Sequence, residues 1–129
     1  MTSPAELRYT KEHEWARLED DGTLTVGITD HAQDALGDVV FVELPTVGDT
    51  VDVDGKFGVV ESVKTVSDLF SPCAGVIEAV NESLDAEPEL VNSAPYSGGW
   101  MVRIRIEDSA QYESLMDAES YDAFVASEG

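Results

Sequence analysis

The chain has 129 residues, 27 of them acidic against 7 basic, for a formal net charge of −20. At this length folding buries roughly two thirds of the unfolded surface, so one hydrophobic core can form without disulfide or metal staples. The charge excludes nucleic acid and anionic membranes as partners, which require a basic footprint, while one cysteine, Cys73, rules out an internal disulfide, and two isolated histidines, His13 and His31, speak against zinc. The stretch MTSPAELRY lacks the basic and apolar regions of a leader, and no apolar run approaches the ~18 residues of a membrane span. A soluble intracellular protein is expected, with a prokaryotic cytoplasm preferred over a processed mitochondrial form.

In chain order, Leu24, Val26 and Ile28 alternate with Thr25 and Gly27, the period of a half-buried strand. Asp30 and Gln33 have capping-box spacing. Ala32, Ala35 and Leu36 follow helical spacing, and Gly37 stands at a helix stop, which together predict a short helix. VVFVEL reads as a strand closed by Pro45, and Val51 and Val53 alternate with Asp52 and Asp54 in another. The apolar runs 57–63 and 66–70 flank Lys64 and Thr65 as a tight hairpin, although no Asn-Gly or Asp-Gly marks its tip. Residues 75–80 form a further strand, followed by the acidic loop NESLDAEPEL. Trp100, Val102, Ile104 and Ile106 then alternate with Met101, Arg103 and Arg105 as a strand. Tyr112, Leu115, Met116, Tyr121, Phe124 and Val125 change to helical spacing, predicting one or two helices packed on the sheet over about 108–126. No linker divides the chain, so residues 1–129 read as one mainly β domain with small helices.

Catalytic constellations are absent from the sequence: there is no Walker-type loop, no GxSxG elbow, and His13-Glu14 is not followed by the second histidine of HExxH. Cys73 reads as a small packed thiol and His31 as a partly exposed or hydrogen-bonded side chain. The acidic clusters, such as Glu19 to Asp21, fit no calcium loop and read as solvated faces. Lys64 is one of three lysines, with Lys11 and Lys56. It occupies the tip of the predicted hairpin in ESVKTVSD, where a side chain can be presented clear of the sheet; by position alone it reads as a solvated turn lysine before a presented attachment point.

ESVKTVSD resembles the lipoyl-lysine motif of the glycine cleavage system H protein family. The resemblance extends in order through YTKEHEW, VGITDHAQDALGDVVFVELP, FGVVESVKTVSDLFSPCAG, ELVNSAPYSGGWM and DAESYDAF, from about Leu7 to Val125. It implies a barrel-sandwich hybrid, lipoyl-domain-like fold and a carrier with no catalytic activity of its own. Lys64 matches the residue that carries lipoic acid in amide linkage, and Glu61 and Gly75 match positions recognised by the lipoylating enzyme. In the family, the arm takes the aminomethyl group of glycine from a pyridoxal-phosphate glycine decarboxylase. It passes the one-carbon unit to a tetrahydrofolate-dependent aminomethyltransferase, and an FAD-dependent dihydrolipoyl dehydrogenase reoxidises the dithiol. The loaded arm is sheltered in a cleft at positions matching Glu12, Glu14 and Asp68; at the first of these some members carry serine. The resemblance implies a monomer. A lipoyl carrier for a 2-oxo acid dehydrogenase fits less well, because VKT replaces the DKA-type tip of those domains. An acidic binding module without a prosthetic group is the remaining alternative.

Overall fold

Alternating apolar residues and short turns fold into two antiparallel sheets in the computed structural model, which describes residues 4–128. The outermost residues of the expected 1–129 unit lie outside this range. The strands are β1 (Arg8–Tyr9), β2 (Glu14–Leu18), β3 (Thr23–Ile28), β4 (Val39–Glu43), β5 (Thr50–Val51), β6 (Lys56–Ser62), β7 (Val66–Phe70), β8 (Gly75–Val80) and β9 (Val102–Ile106). The helices are α1 (Asp30–Leu36), α2 (Ser83–Ala86), α3 (Leu90–Ser93), α4 (Ser109–Glu113) and α5 (Ala118–Glu128). One sheet has the order β1-β2-β3-β9-β8-β5 and the other β4-β6-β7. Between them lies the main core, with Leu24, Val26, Val42, Val60, Leu69, Ile77 and Ile104 among its buried residues. A second apolar cluster of Leu7, Tyr9, Trp15, Ala118 and Tyr121 joins β1 and β2 to α5. No helix among the described residues is long and apolar enough to cross a membrane.

Several expectations change in detail, for tertiary reasons. β3 is a strand but is buried along its whole length, because it lies between β2 and β9 and is covered on both faces. Trp15 pairs with Gly27, where a Cβ would meet the indole at 2.8 Å, so only glycine admits this ring. The cap of α1 is Thr29, one residue before the expected Asp30: its hydroxyl accepts from the Ala32 N–H at 3.2 Å. Gln33 instead donates to Asp30 at 2.9 Å. Gly37 ends the helix at φ 78, with its N–H on the Gln33 carbonyl.

The strand expected through Val53 stops at Val51, because a turn closed by Gly55 N–H on the Asp52 carbonyl takes over. The acidic loop after β8 contains α2 and α3, whose Leu84 and Val91 enter the core. β9 begins at Val102, two residues later than expected. Met101 and Val102 are both fully buried, so strict alternation fails at this entry. The C-terminal segment is helical as expected and takes the two-helix form, interrupted where Met116 pairs with Tyr9 through backbone bonds of 2.8 and 3.0 Å.

Candidate functional site

The hairpin tip between β6 and β7 owes its shape to Ser62, a signal the sequence reasoning missed. Its hydroxyl accepts from the N–H groups of Lys64 at 3.3 Å and Thr65 at 3.2 Å and donates to the Thr65 carbonyl at 3.3 Å. A side-chain oxygen thus replaces the turn chemistry that Asn-Gly supplies elsewhere. The tip is also tied to the rest of the fold, since the Val63 N–H donates to the Asp38 carbonyl at 3.0 Å. Lys64 is exposed, and its aliphatic chain lies beside Gly37, where a Cβ would come within 3.5 Å of Cε.

Asn92, also missed, brackets Asp38. It accepts from the Val39 N–H and donates to the Gly37 carbonyl, both at 2.8 Å, and donates to Gln33 at 3.0 Å. Its place on α3, at the start of NSAPYSGG, which reads as turn-rich, hid this role. Exposed apolar side chains surround the tip: Val63 and Val66 flank the turn, and Phe41 is paired to Glu61 across β4 and β6.

Glu61 is exposed next to the turn and pairs with Val66. Gly75 stands in the other sheet, between Val51 and Ile106, and is buried. A Cβ there would lie 2.2 Å from the Arg105 carbonyl oxygen, so its place in the fold requires the missing side chain.

Glu12, Glu14 and Asp68 do come together, lining one cleft of about 160 Å³ floored by Ile28, Leu36, Val60 and Leu69. α1 contributes Ala32, Ala35 and Leu36, so the cleft ends one residue from Gly37, beside which the Lys64 side chain lies. A larger hollow of about 440 Å³ beside Glu43 and Lys56 holds none of these three carboxylates, so the chemistry points to the smaller one.

The three carboxylates are not equivalent. Asp68 is half exposed and lies 3.3 Å from Lys56 Nζ, a pair that solvent screens. Glu12 is exposed. Glu14 is only 2 % exposed and is a strut between the sheets. Its Oε1 accepts from the Thr10 hydroxyl at 2.7 Å and its Oε2 from the Phe70 N–H at 3.2 Å. Burial pushes its carboxyl up to about 8 against those two hydrogen bonds, so it is largely protonated at neutral pH. Unlike Glu12 and Asp68, the Glu14 carboxyl is therefore buried, and its neutral form is favoured.

Cys73 is the packed thiol expected, fully buried, with its pKa pushed up to about 11 by burial. The histidines are not isolated: the rings of His13 and His31 lie 4.6 Å apart. Chain separation concealed a contact that folding creates when the turn before β2 meets α1.

The family model described as Glycine cleavage H-protein matches residues 7–128. A glycine cleavage system H protein of Psychrobacter sp. (strain PRwf-1) is 58% identical over 120 residues, covering 93% of this chain and 95% of the relative. The Escherichia coli O9:H4 (strain HS) protein of the same name is 56% identical over 125 residues, 97% of each chain. A crystal structure of a glycine cleavage system H protein from Mycobacterium marinum superposes with a TM-score of 0.89 at 38% identity, covering 96% of this chain and 99% of that one.

Proposed function

The chain belongs to the glycine cleavage H-protein family, and from that premise we propose that Lys64 is the residue to which its lipoyl group is attached. Family members are non-catalytic lipoyl carriers of the glycine cleavage system, with lipoate held covalently, so this protein is a carrier and not an enzyme. The same match favours the glycine pathway over a dehydrogenase carrier or a module without a prosthetic group.

The observation that carries the assignment is the anchored tip. All three lysines are exposed, so exposure does not choose among them. Lys56 is paired with Asp68, whereas Lys64 stands at a turn held by Ser62 and Asp38, with its side chain beside Gly37, the neighbour of the cleft residue Leu36. An amide there disturbs no core packing and points a long arm past Gly37. The lipoyl dithiolane supplies the sulfur that accepts the glycine-derived aminomethyl group.

The residues around the tip divide the remaining work. Glu61, exposed beside the turn, and Gly75, through the backbone shape it permits, serve recognition by the lipoylating enzyme. Val63, Val66 and Phe41 give glycine decarboxylase, the aminomethyltransferase and dihydrolipoyl dehydrogenase an apolar rim to engage. The acidic body makes those encounters dependent on salt. Glu12, Glu14 and Asp68 receive the ammonium end of the loaded arm. An ion pair at 4 Å is worth about 1 kcal/mol in water and about 4 kcal/mol at an effective dielectric of 20, so shelter in a cleft matters. A cation entering there also favours ionised Glu14, converting the buried acid into a counter-charge. The chain works as one carrier domain and as a monomer; its bacterial relatives support a prokaryotic cytoplasm as its setting.

Intact-mass measurement after expression with lipoate and a lipoate ligase tests the attachment site. One lipoyl adduct is expected on the wild type and on Lys11→Arg and Lys56→Arg, and none on Lys64→Arg. An adduct retained by Lys64→Arg refutes the assignment. For the cleft, Asp68→Asn is the cleanest probe because the side chain is exposed. Faster loss of the aminomethyl group from the loaded protein is expected, and unchanged decay counts against the docking.

A further inference from the structure

We propose that His13, His31 and Glu128 form a binding site for one divalent transition-metal ion of the zinc type, fastening the end of α5 to α1 and to the turn before β2. Their ligand atoms all lie within 4.8 Å of one another. His13 Nε2 and Glu128 Oε1 are 3.2 Å apart, close to the roughly 3.3 Å edge of a tetrahedron with bonds of about 2.0–2.1 Å. His31 and Glu128 are exposed, so rotation of their side chains closes the remaining gap without disturbing the core.

His13 is the preorganised ligand. Its ring packs edge-on against Tyr121 at 5.7 Å and beside Phe124 at 5.9 Å. Its Nδ1 is 2.8 Å from the Tyr121 hydroxyl, which lies 2.8 Å from the Thr29 hydroxyl. With metal on Nε2, the Nδ1–H donates to Tyr121, and Tyr121 donates onward to Thr29. Such a partner on the far nitrogen fixes the tautomer and orientation of a metal-bound imidazole. Burial holds His13 below the usual histidine pKa, which keeps the neutral, ligating form.

The donor set decides the class of ion. Two imidazoles and a carboxylate suit zinc, nickel or copper, whereas calcium and magnesium take oxygen ligands. Three protein ligands leave the fourth tetrahedral position for water. The ion would join three segments that are distant in the chain. Because His13 also lines the arm cleft with Glu12 and Glu14, it would stiffen that wall as well.

The test is calorimetric titration of the full-length, unlipoylated, metal-free chain with Zn²⁺ in excess Mg²⁺, which occupies non-specific carboxylates. One Zn²⁺ per chain is expected, with a micromolar or tighter Kd and a higher Tm in the bound form. His31→Ala and Glu128→Gln, both at exposed positions, should each weaken binding at least tenfold while leaving the metal-free Tm unchanged. Co²⁺ should give the visible absorption of a tetrahedral centre, lost in His31→Ala. Zinc binding that Mg²⁺ abolishes, or that survives His31→Ala and Glu128→Gln unchanged, overturns the site.

Discussion

Asn92 holds Gly37 through its side-chain amide: Nδ2 donates to the Gly37 carbonyl at 2.8 Å while Oδ1 accepts from the Val39 N–H at 2.8 Å. Asp38, between those two residues, accepts from the Val63 N–H. One side chain on α3 thereby fixes the backbone on which the lysine turn rests. Asn92→Ala leaves partly buried backbone groups without partners, which costs about 1–3 kcal/mol. Urea unfolding should show that loss, and lipoylation at Lys64 should slow even under conditions where the variant is folded.

Gly75→Ala should destabilise the β8–β9 pair. The added carbon would lie 2.2 Å from the Arg105 carbonyl oxygen and 2.8 Å from Ile104 Cγ2, so backbone must move. Overpacking of this kind costs about 1–3 kcal/mol or more. A lower Tm, together with reduced lipoylation, is expected. An unchanged Tm with lost lipoylation would assign Gly75 to enzyme contact alone.

Glu14 makes stability depend on pH with a definite sign. Its folded pKa of about 8 lies above the ordinary glutamate value of 4.5, so the folded state holds the proton more tightly. Its contribution is fully present below pH 4.5 and is lost as pH rises through about 8. Glu14→Gln keeps the side chain's length and one acceptor oxygen for the Thr10 hydroxyl or the Phe70 N–H, without a titrating group. In the presence of chelator, the stability of the variant relative to wild type should therefore increase across that window and level off above it. A difference independent of pH would show that Glu14 is ionised in the folded protein.

Cys73 should be inert in the native protein. Burial raises its pKa to about 11, and at pH 8 that leaves roughly one thiolate in a thousand, with no access for a reagent. A thiol-reactive dye should leave the native, unlipoylated chain unlabelled and should label one thiol per chain in denaturant. Rapid native labelling would mean that the β7–β8 connection opens.

The sequence by itself determined the strand periods, the short α1, the scarcity of lysine and the motif around Lys64, because each is local: a period-2 pattern, a cap, or a contiguous string. It also carried the family, whose ordered segments run through most of the chain. Tertiary structure alone decided how those pieces behave. The β3 alternation forecasts one buried face, but only packing shows that Trp15 covers Gly27 on the other. Glu14 looks like any acidic residue until burial raises its pKa against the hydrogen bonds from Thr10 and Phe70. Asn92 opens the turn-rich stretch NSAPYSGG, which has no visible period, and its three hydrogen bonds reach Gln33 on α1, its C-cap Gly37 and Val39 on β4. His13 and His31 meet across a fold that brings the turn before β2 to α1. Burial and proximity arise from segments distant in the chain, and local spacing holds no record of them.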